Sequence, residues 1–244
     1  MSAWLFDLGN TRLKCAPVSP DGTAGAAVAV PHDGTRFAPE WEALLPPRFA
    51  LACVASVAAP ALAATLLETL ARRGERIACV RTQPALAGVR IAYAEPRRLG
   101  VDRFLALLGA RARAAAPALV VGVGTALTID LIDADGLHRG GRIAPSPALM
   151  REALHARAPH LPRSGGAYAE FADDTDAALA SGCEGAALAL VERSLAQATA
   201  LLGVSPRLLL HGGGAPALHA GLPQASDAPA LVLEGMAAWL RAVA

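Results

Sequence analysis

Leu5-Phe6-Asp7-Leu8-Gly9-Asn10-Thr11-Arg12-Leu13-Lys14 is the stretch on which the reading of the whole chain turns. Apolar residues lead into an acid, Gly9-Asn10 supplies a tight turn of the kind that joins two strands, and alternation resumes through Leu13 and Cys15. The pattern predicts a β-hairpin with Asp7 at its rim. Gly9 carries no Cβ, so a ligand can approach the backbone closely there, and the amides around Asn10 and Thr11 can point at an anion. Asp7 is the kind of ligand that holds a metal ion, and Lys14 brings a point charge back to the same mouth. Two readings fit: a phosphate-and-magnesium cradle, or a plain hairpin whose Asp, Asn and Thr only satisfy the turn.

A second unit begins as the first did. Leu119 to Val123 reads as an apolar strand, Gly122-Val123-Gly124-Thr125 as a turn, and Leu127 to Ile132 as a strand again. The glycines there invite comparison with a dinucleotide fingerprint, but the third glycine is missing. The β-branched run Thr128-Ile129 continues as a strand where that fingerprint must open a helix. A Gly-Thr hairpin binding phosphate through Thr125 is the functional reading, beside that of an ordinary hairpin. The repetition predicts a duplicated α/β fold, with domains over residues 1–117 and 118–244. The two halves are expected to face each other across a cleft, each lending one phosphate-binding turn.

Between and after these hairpins the pattern alternates. A short strand is expected near Ala26 to Val30, a buried strand over Leu51 to Val57, and a helix over Pro60 to Arg73 with proline in its first turn. Arg76 to Arg81 reads as a strand and Val101 to Ala116 as a long helix. In the second half a strand is expected over Leu137 to Ile143 and a helix over Ser146 to Ala158. A polar loop follows over Gly165 to Asp176. Asp176 to Gly203 reads as helical with a glycine-rich interruption near Gly182 and Gly185. Arg207 to His211 is expected as a strand ending in Gly212-Gly213-Gly214, and Leu231 to Ala244 as a closing helix.

The chain has 244 residues, enough for one large domain or two small ones with a sizeable core. With 54% hydrophobic residues but only 4% aromatics, that core must be built mainly from Ala, Leu and Val. A formal net charge of +1 argues against a general nucleic-acid or membrane-surface coat, so neither partner is expected. Cys15, Cys53, Cys79 and Cys183 form no C-x-x-C pair, and no secretory leader is legible. A reduced, cytoplasmic protein with buried thiols is expected. Phe49 to Leu67 is uncharged and long enough to span a bilayer. It is dominated by Ala, however, and Pro60 falls where a strand would hand over to a helix, so a buried strand and helix are expected instead.

Gly100-Val101-Asp102-Arg103, downstream of Tyr93, places a carboxylate among the unpaired amides of a helix start with a guanidinium beside it. Such a carboxylate can accept a hydroxyl proton during phosphoryl transfer, and Arg103 can hold a substrate carboxylate. The same residues also fit a simple helix start with a surface pair. Asp173-Asp174-Thr175-Asp176 reads more readily as a helix cap than as a cation site. The six histidines show no metal-ligand spacing, and His155 and His160 are expected in solvent. Arg97-Arg98 reads as a solvated face.

Asp7-Leu8-Gly9-Asn10-Thr11 with Lys14 three on, Tyr93, Gly100-Val101-Asp102-Arg103, Gly124-Thr125-Ala126 with Thr128 and Asp130, and Gly212-Gly213 occur in order over nearly the whole length. In this the chain resembles the type III pantothenate kinases, of the superfamily that holds actin, heat-shock chaperones and sugar kinases. The resemblance implies two duplicated ribonuclease H-like, actin-like ATPase domains, with mixed sheets and helices about a cleft. It implies phosphorylation of the terminal hydroxyl of pantothenate by ATP, the first step of coenzyme A synthesis, with Mg²⁺.

By the same resemblance Asp7, Leu8, Gly9, Asn10, Thr11, Arg12, Leu13 and Lys14 form a first phosphate loop, with Asp7 near Mg²⁺. Gly124 and Thr125 belong to the second loop, and Asp102 is the proton acceptor. Tyr93, Gly100, Val101, Asp102, Arg103 and Thr175 contact pantothenate. Family members are homodimers with the substrate pocket completed at the interface, so Thr175 is expected to serve the partner's site. One departure stands out. Many members carry an Asp where this chain has Gly122, and there it helps bind K⁺ or NH₄⁺; two readings follow, a cation held by backbone and water oxygens or an enzyme that lacks the site. His211 also stands where Thr or Ala often precedes the late glycines. Two rival readings remain: a kinase fold kept as a transcriptional regulator or nucleotide-dependent binding module, and a kinase acting on a sugar or other polyol.

Overall fold

The computed structural model describes residues 2–243. Met1 and Ala244, the outer ends of the expected domains and, for Ala244, of the expected closing helix, lie outside the described residues. The first part of the chain forms β1 (Ala3–Leu8), β2 (Arg12–Pro17), β3 (Val28–Pro31), β4 (Phe49–Ser56), α1 (Pro60–Ala71), β5 (Gly74–Cys79), β6 (Ala85–Leu86), β7 (Val89–Arg90) and α2 (Val101–Arg113). There follow β8 (Ala118–Val123), β9 (Ala126–Ile132), β10 (His138–Pro145), α3 (Pro147–Arg157) and α4 (Thr175–Leu202). The chain closes with β11 (Arg207–His211), α5 (Ala215–His219), β12 (Ala225–Asp227) and α6 (Leu231–Val243).

The strands build two five-stranded sheets of matching order, β3-β2-β1-β4-β5 and β10-β9-β8-β11-β12. In each, a hairpin supplies an antiparallel pair, β1 with β2 and β8 with β9. Parallel strands then continue on the other side, β4 and β5 or β11 and β12. This mixed α/β architecture, made twice, follows from the repeated strand, glycine turn, strand pattern. The chain divides into two compact units, one of Met1–Ala115, Asp135–His138 and Ala230–Ala244, the other of Ala116–Ala134 and Arg139–Pro229. The C-terminal helix α6 is therefore part of the first unit, with the short segment that leads into β10.

In the first unit strand alternation sends Phe6 and Leu8 of β1 to one sheet face. There they pack with Leu13, Phe49 and Val54 against Leu62, Leu66 and Leu70 of α1. These three leucines repeat at i, i+4, i+8 and are fully buried, each contributing about 2 kcal/mol of transfer free energy. The apolar run from Phe49 to Leu67 is thus a strand and a helix, with Pro60 at the first turn of α1. Asp7, one residue out of phase with Phe6 and Leu8, turns to the other face. That face is covered by α2 and α6, which are also packed on each other. Gly109 of α2 and Gly235 of α6 let the two backbones meet, because a Cβ on either would collide with the partner helix's carbonyls at Leu231 and Leu105.

In the second unit Leu119, Val121 and Val123 of β8 pack with Leu208 and Leu210 against Ala187, Val191 and Ala198 of α4. The expected interruption of that helix at Gly182 and Gly185 does not occur: α4 is one continuous helix of 28 residues. Each glycine costs about 1 kcal/mol of helix propensity. The buried stripe of Leu179, Ala180, Cys183, Ala187 and Val191 outweighs that cost. Asp174 caps α4 by accepting from the Ala177 N–H at 2.9 Å, so the acidic run is a helix start. Two further expectations are corrected. Cys79, on the outer strand β5, is exposed, whereas the other three thiols are buried. His155 is half-buried, with Nδ1 2.6 Å from the Leu161 carbonyl oxygen, because α3 ends there and leaves that carbonyl within reach.

Candidate active site

The opening hairpin forms in the expected register, with Asp7 directly across from Lys14 and Leu8 from Leu13. The Gly9 N–H donates to the Arg12 carbonyl at 3.0 Å, closing the turn and leaving Asn10, Thr11 and Arg12 exposed at its tip. Leu8 and Leu13 are fully buried and act as the anchors of the loop. A residue the sequence did not single out holds the loop from behind. His32 accepts at Nδ1 from the Gly34 N–H at 3.1 Å, so its Nε2 carries the proton and donates to the Gly9 carbonyl at 3.0 Å.

Asp102 stands in the first turn of α2, whose cap residue, Gly100, has no side chain to offer the amides there. The carboxylate lies back over Gly100 and is half-buried. The Gly100 carbonyl accepts from the Phe104 N–H at 3.0 Å, and Val101 begins the helix. Asp7 and Asp102 are near enough to feel each other. Burial pushes the Asp7 carboxyl up from 3.8 to about 7, Lys14 pulls it down, and the charge of Asp102 adds a smaller upward push. The structure therefore brings Asp7, Lys14 and Asp102 together, a pair of carboxylates and an ammonium at one rim.

Arg103 is the neighbour of Asp102 in sequence but points inward, only 6% exposed. One of its terminal nitrogens donates to the Tyr93 hydroxyl at 3.4 Å, and its guanidinium carbon lies 6.0 Å from the centre of the Tyr93 ring. On Tyr93 lies a second residue the sequence did not single out. The ring of His138, 1% exposed, is parallel to that of Tyr93 to within 8° with centroids 6.0 Å apart. The Ala92 N–H points at its Nδ1 at 3.4 Å. Tyr93 opens on a cavity of about 400 Å³ lined also by Ala94, Glu95 and Arg98, with the Arg97–Glu95 ion pair on its solvated rim.

In the second unit Gly124 and Thr125 form the tip of the β8–β9 hairpin. Gly124 N–H donates to the Ala126 carbonyl at 2.9 Å, and both tip residues are exposed. The strand that follows, β9, rules out a dinucleotide fingerprint, as its β-branched run predicts. Gly122 is paired on one side with Thr128 and on the other with His211. The glycine run after β11 turns back on this hairpin, Gly214 N–H donating to the Val123 carbonyl at 2.9 Å. Thr175 is the exposed first residue of α4, beside the capping Asp174.

No helix among the described residues is long and apolar enough to cross a membrane. Nor, among them, do three or more His, Cys, Asp or Glu side chains gather to hold a metal ion unaided.

Residues 4–197 match the profile of the type III pantothenate kinase family. A type III pantothenate kinase of Stenotrophomonas maltophilia is 60% identical over 239 residues, covering 98% of this chain and 97% of its own. Another, of Xanthomonas euvesicatoria pv. vesicatoria, is 59% identical over 244 residues, covering 100% and 99%. Among solved structures, a protein named for the Baf family of transcriptional activators, from Campylobacter jejuni, superposes with a TM-score of 0.64 at 19% identity. It covers 96% of this chain and 94% of its own. An archaeal actin homologue, Ta0583, superposes with a TM-score of 0.50 at 9% identity over 99% of each chain. At those identities the likeness speaks of fold alone, and it is the fold of actin-like ATPases and sugar kinases.

Proposed function

The chain belongs to the type III pantothenate kinase family, the kinases that phosphorylate pantothenate in coenzyme A biosynthesis, and from that premise we propose how its own residues divide the work. The observation that carries the assignment is the meeting of Asp7, Lys14 and Asp102 at the mouth of the first hairpin.

The exposed tip from Gly9 to Arg12 offers backbone amides to the phosphates of ATP, and Lys14 adds a point charge across from Asp7. Thr125 and Gly124, at the matching turn of the second unit, bind phosphate through hydroxyl and amide. A half-buried carboxylate that desolvation makes costly to ionise is a suitable oxygen ligand for a divalent ion that arrives with the nucleotide, so Asp7 would hold Mg²⁺. When bound, the ion supplies charge neutralisation on the phosphates. Asp102 accepts the proton of the primary hydroxyl of pantothenate as that oxygen attacks the γ-phosphorus in line, while the bond from the γ-phosphorus to the β–γ bridging oxygen breaks and ADP leaves. Arg103, fixed under Tyr93, supplies positive charge for the substrate's carboxylate, and Tyr93 with the Gly100–Arg103 turn lines its pocket. Positioning and charge stabilisation carry most of the acceleration, with the base adding about 10²–10⁴-fold.

The protein is further proposed to act as a cytoplasmic homodimer. Four free cysteines support a reducing compartment. The apolar groove lined by Leu149, Met150 and Leu154 of α3 and Leu179 of α4, with Leu154 44% exposed, supports a covered face on those two helices. Thr175, at the start of α4, would then serve the partner's pantothenate.

An ADP-release assay with pantothenate, a sugar and acetate as competing acceptors tests the assignment. Turnover is expected with pantothenate alone, and Asp102→Asn is expected to lower kcat by about 10²–10⁴-fold with ATP binding retained. Near-normal turnover in that variant would remove Asp102 from the role.

A further inference from the structure

Gly122 is the last but one residue of β8, two before the phosphate turn, and the sheet fixes it from both sides. Its register partners are Thr128 of β9 and His211 of β11. Neighbours in register project to the same face of a sheet, so both side chains rise beside the bare Cα of Gly122. That face is the one turned away from α4, since Val121 and Val123 take the core side. A Cβ on residue 122 would meet Thr128 Oγ1 at 2.7 Å, His211 Nε2 at 2.9 Å and His211 Cε1 at 3.0 Å. The imidazole and the hydroxyl occupy the ground a side chain at 122 would need.

The family resemblance implies a carboxylate at this position as a ligand of K⁺ or NH₄⁺, and the residues present do not fit that ion. Gly122 has no side-chain oxygen to offer, and a hard cation asks for oxygen ligands, of which the carboxylate is the charged one. Its place is taken by an imidazole, which is a nitrogen acceptor or, when protonated, a repelling charge. The two departures from the family pattern, Gly122 and His211, are therefore one feature. The imidazole has room at that spot because residue 122 carries no Cβ.

We infer that the second phosphate turn of this chain works without a monovalent cation, the side chain of His211 holding the place beside Gly122 and Thr128 that the ion would take. His211 is thereby a positioning residue for the Gly124-Thr125 turn. The inference rests on the kinase reading and deepens it by removing one of the cofactors that reading would bring.

The test uses the full chain, exchanged into tetramethylammonium chloride and titrated with KCl, NH₄Cl or NaCl at constant ionic strength. Two quantities are read: pantothenate-dependent ADP release, and calorimetric binding of a non-hydrolysable ATP analogue with Mg²⁺. Both are expected to change by less than about twofold across the three salts. A saturable rise of about tenfold or more with K⁺ or NH₄⁺, absent with Na⁺, overturns the inference. Failure of the kinase reading looks different, as analogue binding without phosphorylation of pantothenate in any salt. A double variant, Gly122→Asp with His211→Ala, removes the imidazole and supplies a carboxylate, leaving the Thr128 hydroxyl to rotate aside. Its analogue binding is expected to become K⁺-dependent, whereas a folded double variant indifferent to K⁺ would count against His211 as the reason. Should the double variant not fold, the salt titration of the unaltered protein decides alone. His211→Ala by itself is expected to weaken analogue binding by about tenfold, with partial recovery in His211→Gln. Unchanged binding in His211→Ala would deny the residue its positioning role.

Discussion

The Asp102 carboxylate lies over Gly100, its Oδ1 only 2.6 Å from the point where a Cβ on residue 100 would stand. The residue that caps α2 is thus also the floor on which the proposed base rests. Gly100→Ala is expected to push the carboxylate aside while leaving the helix in place, since replacing a favoured cap by alanine costs about 1 kcal/mol, too little to unfold a helix packed on α6. A displacement of that order at a reacting group costs about 10²-fold in kcat. Steady-state kinetics beside a thermal melt checks this. A melt close to that of the unaltered protein with kcat down by that factor is the expected result, and unchanged kcat would mean the carboxylate's placement does not depend on Gly100.

Asp7 makes the unliganded protein sensitive to pH in an unusual direction. Its carboxyl titrates at about 7 when folded, chiefly through burial, and at 3.8 in the unfolded chain. Between those values the unfolded chain has lost the proton while the folded one keeps it, so the unfolded state gains relative stability as pH rises. The contribution of Asp7 is fully favourable below about pH 4, declines up to about 7, and is a constant penalty above. Asp7→Asn is expected to raise Tm at pH 8 and to flatten the fall in Tm between pH 5 and 8. Melting curves of the two proteins without nucleotide give the comparison. Parallel pH dependences would show that the carboxyl is not held as the structure implies.

How much of this was legible in the sequence depended on whether the cause was local. The two hairpins were, because period-two alternation around a Gly-containing turn is written in consecutive residues, and the matching order of the two sheets followed from their repetition. The unbroken course of α4 was not, because Gly182 and Gly185 weaken the local signal while the stripe that overrides them takes its value from a sheet elsewhere in the chain. An amphipathic pattern also does not say which sheet a helix covers, so the packing of α6 on α2 through Gly235 and Gly109 had no sequence sign. At the candidate site, the residues proposed to make the chemistry stood in motifs, whereas those that touch them from behind did not. His138 reaches the peptide before Tyr93 from 46 residues away, and His32 reaches Gly9 from 23. Each contact is a property of the fold, and neither histidine has neighbours in sequence that announce it.

The buried stack of His138 on Tyr93 predicts a split between kinetic constants. His138→Ala removes a ring that lies parallel to Tyr93 at 6.0 Å and the acceptor facing the Ala92 N–H. Tyr93 and the Arg103 guanidinium against it then lose their fixed position. KM for pantothenate is expected to rise about tenfold, with kcat and the KM for ATP within about twofold. His138→Phe keeps the stack and is expected to recover most of the loss. A fall in kcat with unchanged pantothenate KM would contradict a positioning role.

His32 predicts the complementary split. The first hairpin's turn is tied by Gly9 N–H to the Arg12 carbonyl at 3.0 Å, by His32 N–H to the Thr11 carbonyl at 3.2 Å, and by the His32 imidazole to the Gly9 carbonyl at 3.0 Å. The last of these bonds depends on the tautomer, which the Gly34 N–H fixes by donating to Nδ1. The backbone bonds survive a change of side chain, so the turn should persist in His32→Ala but hold Gly9 less firmly. Losing a neutral hydrogen bond of this kind costs about 1 kcal/mol, or about fivefold in affinity. The KM for ATP is therefore expected to rise by about that factor while the KM for pantothenate stays put. His32→Phe keeps a ring against Phe37, which the imidazole meets edge-on at 5.8 Å, but cannot donate. If the bond to Gly9 is what matters, the phenylalanine variant shares the alanine variant's ATP defect. If packing is what matters, it recovers, and the hydrogen bond is incidental.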